Sequence, residues 1–197
     1  MEEIGNFRFV ETSIKDVYVI EPKKFGDERG YFMETYKKSV FDAAGLRYDF
    51  VQDNQSKSKK GVLRGLHFQK GEHAQAKLVR VVKGAVIDVV VDIRPESQFF
   101  GKYIFVYLSE ENRRQLFVPR GFAHGFIAVQ DGTVFQYKCD NFYCKESEGS
   151  IFYWDAEINF PWGIWANIED MKVSDKDKNA PTFSDYKREI NYNVENQ

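Results

Sequence analysis

The sequence predicts an all-β fold, either a sandwich or a barrel. Three observations support this prediction: short apolar segments alternate with turn residues, helical periodicity is almost absent, and aromatic residues, which favour strands, make up 16% of the chain. The 197 residues, of which 43% are hydrophobic, suffice for one sizeable core. We expect one domain, with N-terminal strands in 1–60, a barrel core in 61–154 and a C-terminal extension in 155–197.

The expected strands are short runs of aliphatic and aromatic residues between turn signals. In chain order they cover 17–20, 61–69, 76–82, 84–93, 102–108, 115–118, 123–129, 133–138 and 150–154. Such a succession, with so little helix between the strands, is typical of sandwiches and barrels.

The segments between and after these strands have weaker patterns. One short helix is predicted over 39–45, with Ser39 as its N-cap and Gly45 as its end. Residues 56–60 are expected to form a polar loop that leads into the strand at 61–69. From residue 155 onward the periodicity fades, so we expect an irregular extension that wraps the barrel, with frayed residues at 191–197.

The charge balance and the cysteines exclude several classes of protein. The formal net charge of −2 gives no overall attraction to nucleic acid or to a membrane surface, so anionic ligands must meet local basic residues. Two cysteines, Cys139 and Cys144, are too few for a disulfide framework or a tetrahedral zinc site. The acidic start lacks a signal-peptide pattern and no apolar run is long enough to span a bilayer, so a reduced cytoplasmic chain is expected.

The segment 61–69, GVLRGLHFQ, combines a strand pattern with polar residues that a buried strand seldom carries. Strict alternation would place Arg64 and His67 on opposite faces. Gly65 lies between them, and a glycine within a strand often marks a bulge that changes the direction of a side chain. We therefore predict a bulge or bend at Gly65 that turns both side chains toward one pocket. The alternative, a core histidine with a backbone partner and an exposed arginine, fits these nine residues equally well.

Two of the three histidines, His67 and His124, lie in strand-like segments far apart in the sequence. In a barrel, inward-facing residues of separate strands converge on one interior. A pocket of His67, Lys77, His124 and Tyr137 is therefore geometrically reasonable, with Asp88 as a supporting group.

Such a pocket suits proton abstraction beside a carbonyl. Histidine, with an ordinary pKa of about 6.5, can act as the base at neutral pH. Lysine can stabilise the enolate oxygen, and tyrosine, with an ordinary pKa of about 10, can return a proton from the opposite face. The other class is metal chemistry, which would require His67, His124 and a carboxylate. No H-x-H or H-x-x-x-E spacing surrounds His67, so acid–base chemistry is favoured.

Several long segments, in one order, resemble a known family. They are DERGYFMETY (27–36), VQDNQS (51–56), GVLRGLHFQ (61–69), AQAKLVRVVKGAVIDVVVDIR (74–94), RQLFVPRGFAHGF (114–126), FQYKCDNFY (135–143) and SDKD (174–177). Over about residues 14–181 the chain is similar to the dTDP-4-dehydrorhamnose 3,5-epimerase family of the cupin superfamily. The resemblance implies a cupin-type double-stranded β-helix, or jelly-roll barrel, with a short helix and an irregular C-terminal extension.

Members of this family invert C3 and C5 of a dTDP-linked 4-keto-6-deoxyhexose through an enolate, on the route to dTDP-L-rhamnose or a related deoxysugar. The resemblance implies the same reaction here, without a cofactor, in a homodimer whose N-terminal segment crosses to the partner. It implies neither nucleic acid nor a membrane as a partner. The alternatives are an epimerase of C3 or C5 alone, a metal-dependent cupin enzyme and a non-catalytic binding module for sugar nucleotides.

The resemblance also implies roles for individual residues. His67 would be the base, paired with Asp177, for which Asp175 is the near alternative. Tyr137 would be the proton donor, and Lys77 would meet the sugar oxygen.

The implied substrate contacts surround these residues. They are Arg29, Glu34, Gln52, Asn54, Arg64, His124, Tyr143, Glu148 and Lys176. Tyr143 would stack on the thymine ring. The diphosphate would meet Arg29, Arg64 and Lys176, because the forked guanidinium group of arginine matches the spacing of phosphate oxygens. The chain departs from the family at 144–145, where Cys-Lys replaces the usual small residue and proline.

Overall fold

The structure is a computed structural model that describes residues 1–195, with side chains up to residue 191. Strands dominate it, and in chain order they are β1 (Glu2–Ile4), β2 (Phe7–Glu11), β3 (Tyr18–Pro22), β4 (Phe25–Asp27), β5 (Gly30–Phe32), β6 (Gln52–Ser58), β7 (Leu63–Gln69), β8 (Lys77–Lys83), β9 (Ala85–Asp92), β10 (Tyr103–Ser109), β11 (Gln115–Val118), β12 (Phe122–Ala128), β13 (Thr133–Cys139) and β14 (Glu148–Ser150). The α-helices are α1 (Lys38–Ala43), α2 (Asp175–Lys178) and α3 (Phe183–Glu195). Short 3-10 helices lie at Gly71–His73, Lys145–Ser147, Trp162–Ile164 and Ile168–Asp170.

Most strands belong to two antiparallel sheets. The larger sheet has the order β1-β2-β3-β11-β8-β13-β6 and the smaller one the order β10-β9-β12-β7-β14, while β4 and β5 form a separate hairpin. Apolar residues of both sheets, such as Val81 on β8 and Phe126 on β12, pack in one buried cluster between them. This arrangement confirms the predicted all-β, jelly-roll architecture of the cupin type.

Apolar residues cover the outer faces of both sheets as well. Phe41 of α1 packs with Leu78 and Phe117 on the outside of the larger sheet. Trp162 and Phe183, from the C-terminal segment, pack on the outside of the smaller sheet. Strand β9 is consequently buried along its whole length, which explains its nearly continuous run of aliphatic residues.

Two local expectations in the N-terminal third are wrong. Helix α1 begins at Lys38 after an extended Lys37, and no side chain caps it, so Ser39 lies inside the helix and not before it. Strand β6 extends to Ser58, where we expected a polar loop over 56–60. The residues of β6 are polar because one face of this strand borders a cavity and the other faces solvent.

The C-terminal segment is more regular than expected. Strand β14 lies at 148–150 and not at 150–154. The extension ends in the 13-residue helix α3, in which Phe183 and Tyr186 stack one turn apart against the smaller sheet. Phe183, Tyr186 and Ile190 follow one another at the helical spacing i, i+3 and i+7, a signal that our expectation of an irregular extension overlooked. Of the residues 191–197 that we expected to fray, 191–195 belong to α3, and 196–197 lie outside the described residues. Within the described chain, no helix has both the length and the apolar character needed to cross a membrane.

Candidate active site

Strand β7 contains the predicted bulge. Where β7 pairs with β12, His67 lies opposite His124 and Arg64 lies opposite Phe126. The two positions are three residues apart on β7 but only two apart on β12, so β7 has one extra residue between them. Gly65 has a φ of +133°, which other residues rarely adopt. A Cβ atom at this position would lie 2.5 Å from the Cα atom of Gly125 on β12, so only glycine fits. The bulge allows both Arg64 and His67 to line one cavity.

The two sheets and the segment around α2 enclose this cavity, which has a volume of about 450 Å³. Its lining includes Asn54, Ser56, Arg64, His67, Lys77, His124, Phe126, Phe135, Tyr137, Lys172, Ser174, Lys176 and Asp177. Both histidines, the lysine and the tyrosine that the sequence predicted to share a pocket are among them. A cavity of this size, lined by convergent polar groups and by phenylalanine rings, suits a small-molecule ligand.

His67 pairs with Asp177 in this cavity. Its Nε2 atom lies 2.6 Å from Oδ1 of Asp177, a buried carboxylate of α2. Burial alone would raise the pKa of Asp177, but the hydrogen bond and charge of His67, with contacts to Ser174 and Gly65, outweigh burial and lower this pKa. Asp175, the alternative partner, has 96% of its side chain exposed. The structure therefore brings Asp177, and not Asp175, to His67.

A local signal that our sequence reasoning did not use distinguishes the two aspartates. Ser174 is the N-cap of α2, and its Oγ atom accepts the N–H of Asp177 at 3.1 Å. The spacing Ser-x-x-Asp is typical of helix N-termini and places Asp177 at the third helical position. Because α2 contacts β7, a side chain at this position can reach His67.

A second histidine–carboxylate pair lies beside the first. The Nε2 atom of His124 lies 2.9 and 3.0 Å from the two carboxylate oxygens of Asp88. Asp88 is fully buried, which raises its pKa, although the charge and hydrogen bond of His124 act in the opposite direction. His67 and His124 are direct neighbours across β7 and β12, so Asp88 supports the histidine adjacent to His67.

Lys77 on β8 and Tyr137 on β13 lie close together in the same cavity. The Nζ atom of Lys77 lies 5.9 Å from the centre of the Tyr137 ring. Burial lowers the pKa of Lys77 and raises the pKa of Tyr137. The Tyr137 hydroxyl therefore keeps its proton at neutral pH and can donate it, and the Lys77 amine can donate an N–H to an oxygen placed beside it.

Polar residues next to the cavity form a connected group. The Tyr143 hydroxyl donates to Glu148 at 3.4 Å, and the Nζ atom of Lys176 lies 2.5 Å from the same carboxylate. The hydrogen bond with Lys176 lowers the pKa of Glu148 despite partial burial. The side-chain amide of Gln52 donates to Asn54 at 3.0 Å. The structure thus brings these predicted substrate contacts together.

Two predicted substrate contacts lie elsewhere. Arg29 is at the turn of the β4–β5 hairpin, where 85% of its side chain is exposed and it pairs with Asp27. Glu34 accepts a hydrogen bond from the amide of Asn6 at 2.8 Å. In the described chain, neither Arg29 nor Glu34 is part of the cavity lining.

Sequence reasoning missed Ser56 and Lys172, which also line the cavity. Ser56 is two residues after Asn54 on β6, so both side chains are on the same face of the strand. We did not predict this because we expected a loop over 56–60. Among the described side chains, the Ser56 hydroxyl is the one buried polar group without a hydrogen-bond partner. Lys172 is next to the cavity because of a parallel bridge to Val62, which no sequence pattern shows. Within the same described residues, no three His, Cys, Asp or Glu side chains are grouped as ligands for a metal ion.

Comparison with known proteins identifies the family. The family model for dTDP-4-dehydrorhamnose 3,5-epimerase matches residues 11–185. The dTDP-4-dehydrorhamnose 3,5-epimerase of Shigella flexneri is 52% identical over 177 residues, which cover 89% of this chain and 96% of the relative.

Two solved structures are similar along most of their length. The dTDP-4-dehydrorhamnose 3,5-epimerase of Elizabethkingia anophelis has a TM-score of 0.87 and 53% identity, and the match covers 92% of this chain and 98% of that chain. The dTDP-6-deoxy-D-glucose-3,5-epimerase of Legionella pneumophila, solved in complex with dTDP-4-keto-L-rhamnose, has a TM-score of 0.85 and 44% identity, with coverage of 90% and 93%. With this agreement in sequence and in fold, the chain belongs to the dTDP-4-dehydrorhamnose 3,5-epimerase family of isomerases.

Proposed function

We propose that the protein is a dTDP-4-dehydrorhamnose 3,5-epimerase that inverts C3 and C5 of a dTDP-4-keto-6-deoxyhexose by acid–base chemistry, without a cofactor. Membership of the family supports the substrate class, because relatives with this name match nearly the whole chain. The observation that carries the chemistry is the 2.6 Å contact of His67 with Asp177 in a cavity that also contains Tyr137. Deprotonation and reprotonation of one carbon require a base and an acid in a single site.

His67 is the base in this proposal. Asp177 accepts the Nε2–H of the neutral imidazole, which leaves the lone pair on Nδ1. The C4 ketone acidifies the C–H bonds at C3 and C5. Nδ1 takes one of these protons, and the electron pair of the broken C–H bond moves into an enolate. The buried carboxylate of Asp177 then stabilises the imidazolium that forms.

Lys77 and Tyr137 complete the reaction. The amine of Lys77 donates an N–H to the enolate oxygen, where negative charge develops. The Tyr137 hydroxyl gives its proton to the opposite face of the carbon, and a new C–H bond forms with inverted configuration. The tyrosinate regains a proton from solvent and the imidazolium of His67 loses one, which resets the site for the second carbon. The raised pKa of Tyr137 supports its role as the acid, because the hydroxyl is protonated before each turnover.

The nucleotide part of the substrate is assigned to residues that line the cavity or lie next to it. Arg64 and Lys176 supply positive charge for the diphosphate, although the chain as a whole is slightly acidic. Tyr143, whose side chain is half exposed, offers its ring face to the thymine. The remaining polar contacts are assigned to Gln52, Asn54, His124 and Glu148.

We infer that Arg29 and Glu34 serve the cavity of a second copy of the chain. Both lie outside their own cavity. The hairpin that carries Arg29 also exposes Phe25, Tyr31 and Phe32, an apolar surface that a partner would cover. A homodimer of single-domain subunits, located in the cytoplasm, is therefore part of the proposal. Both cysteines of the chain are free, as is usual in a reducing compartment.

Proton exchange in D₂O tests the proposal. The protein is incubated with dTDP-4-keto-6-deoxyglucose, and NMR follows the C3 and C5 protons. Loss of both signals, together with formation of L-rhamnose in a reductase-coupled assay, is expected. Loss of one signal would identify an epimerase of C3 or C5 alone, and loss of neither would contradict the proposed reaction. His67→Ala should abolish exchange at both carbons, and near-normal activity of a folded His67→Ala protein would overturn the assignment of the base.

A further inference from the structure

The Tyr143 ring lies at the surface and is only partly covered by neighbouring residues. Its side chain is 53% exposed, and its hydroxyl donates to Glu148 over a long distance of 3.4 Å. The next two residues, Cys144 and Lys145, do not restrict the main chain as proline would. The position of the ring must therefore come from the main chain of residues 140–147, which we call the Tyr143 loop.

Glutamine side chains from three different segments bind the main chain of the Tyr143 loop. The contacts are Gln75 Nε2 to the carbonyl of Asn141 at 2.7 Å, the N–H of Tyr143 to Gln52 Oε1 at 3.4 Å, and the N–H of Cys144 to Gln69 Oε1 at 2.9 Å. Each contact satisfies a main-chain carbonyl or N–H group that lies outside the strand ladders. The contact with Gln69 is the shorter of the two that flank the Tyr143 ring.

Gln69 connects the Tyr143 loop to the strand that carries the base. It lies two residues after His67 on β7, and its side chain is almost completely buried. The following residue, Lys70, donates its N–H to the carbonyl of Ser147 at 2.8 Å. The end of β7 therefore holds the 3-10 turn of the loop at both ends, through the Gln69 side chain and the Lys70 main chain.

We propose that Gln69 is a positioning residue for nucleotide recognition. Its side-chain carbonyl fixes the main chain next to Tyr143, so that the ring is ordered before the nucleotide base arrives, and less ordering entropy opposes binding. Gln69 itself is not part of the cavity lining. The inference rests on the proposed function, because it takes the Tyr143 ring as the surface that a nucleotide base stacks on.

The test measures the Kd of dTDP by isothermal titration calorimetry with the full-length protein. Gln69→Met keeps the volume of the side chain and removes the acceptor, and the loss of one such hydrogen bond corresponds to about a five- to tenfold rise in Kd. KM for the sugar nucleotide should rise in parallel, while kcat at saturation stays within about twofold, because the reacting groups are untouched. Gln69→Asn shortens the side chain by one methylene but keeps the buried position polar, and it should raise Kd in the same way.

Thr133→Val is the matched control. Thr133 is buried at the opposite end of β13 from the Tyr143 loop, and its hydroxyl donates to the carbonyl of Gln130 at 2.8 Å. This variant should lower the melting temperature and leave the Kd of dTDP unchanged. An unchanged Kd in a folded Gln69→Met or Gln69→Asn protein would overturn the positioning role, as would an equal rise in Thr133→Val. A wild-type protein that does not bind dTDP would instead contradict the proposed function.

Discussion

Replacement of Asp177 by asparagine keeps the size of the side chain and removes its charge. In the native protein the buried carboxylate accepts the Nε2–H of His67 at 2.6 Å, which fixes the tautomer and orientation of the ring. An asparagine can present its NH₂ group to the same nitrogen and favour the wrong tautomer. It also cannot balance the positive charge that His67 gains when it removes a proton. Asp177→Asn should therefore affect the chemical step more than binding.

The magnitude follows from the geometry of the pair. A hydrogen bond to a charged group contributes about 1.5–3 kcal/mol, and about 1.36 kcal/mol corresponds to a tenfold change in rate. The carboxylate is only 4% exposed, but the His67 side chain is 32% exposed, so water screens part of the interaction. We expect kcat to fall about 10- to 100-fold, with KM changed less than about threefold.

The assay follows the loss of the C3 and C5 proton signals in D₂O at saturating substrate. Asp175→Asn is the control, because this neighbouring aspartate is on the same short helix and its side chain is 96% exposed. Asp175→Asn should match the wild type. Equal exchange rates in wild type and in a folded Asp177→Asn protein would show that the carboxylate does not support the base. A greater loss in Asp175→Asn than in Asp177→Asn would reverse the assignment of the two aspartates.

Further predictions concern the proton donor Tyr137, the melting temperature at low pH, the unpaired hydroxyl of Ser56 and the bulge at Gly65. Tyr137→Phe removes a hydroxyl with little change in packing, and it should slow or redirect the second protonation; a reaction rate and a product mixture that both match the wild type by NMR would contradict this. Because the pKa of Asp177 lies below its ordinary value of about 3.9, its stabilising effect is complete above that pH and is lost as pH falls through the folded-state pKa. The melting temperature of Asp177→Asn should therefore decline less steeply than that of the wild type in acid. Ser56→Ala removes a buried hydroxyl without a partner among the described side chains, and it should raise the melting temperature by about 2–4 °C, equivalent to about 1 kcal/mol. Gly65→Ala forces a Cβ atom to within 2.5 Å of Gly125, and urea unfolding should show a loss of more than about 3 kcal/mol; a loss below 1 kcal/mol would mean that the bulge relaxes easily.

Features encoded within a few residues could be predicted from the sequence. The bulge at Gly65 follows from a glycine between two polar residues in an apolar strand, and it is present. The convergence of Lys77, His124 and Tyr137 follows from the barrel architecture, in which inward-facing positions of different strands share one interior. The contact of His67 with Asp177 joins residues 110 positions apart, and only the family resemblance indicated it.

Where the sequence reasoning failed, tertiary packing outweighed a local preference. Helix α1 starts without a capping side chain, although a good N-cap is worth about 1 kcal/mol, because burial of Phe41 in the outer cluster determines where the helix lies. All seven residues of strand β6 are polar, and the strand is held by its ladder with β13. Helix α3 differs from these two, because Phe183, Tyr186 and Ile190 lie at helical spacing and its apolar face, which packs on the smaller sheet through Phe183 and Tyr186, could have been recognised in the sequence.

Gly65 on β7 and Gly125 on β12, which lie against each other, also restrict how sequences of this family can diverge. A side chain at either position would strike the opposite backbone, since a Cβ atom on Gly125 would lie 2.6 Å from the carbonyl oxygen of Arg64. Enlargement of one residue therefore cannot be compensated by a change in the other. We expect both glycines to persist together in every lineage that retains the enzyme, and the replacement of either one to mark a gene copy that has been released from selection.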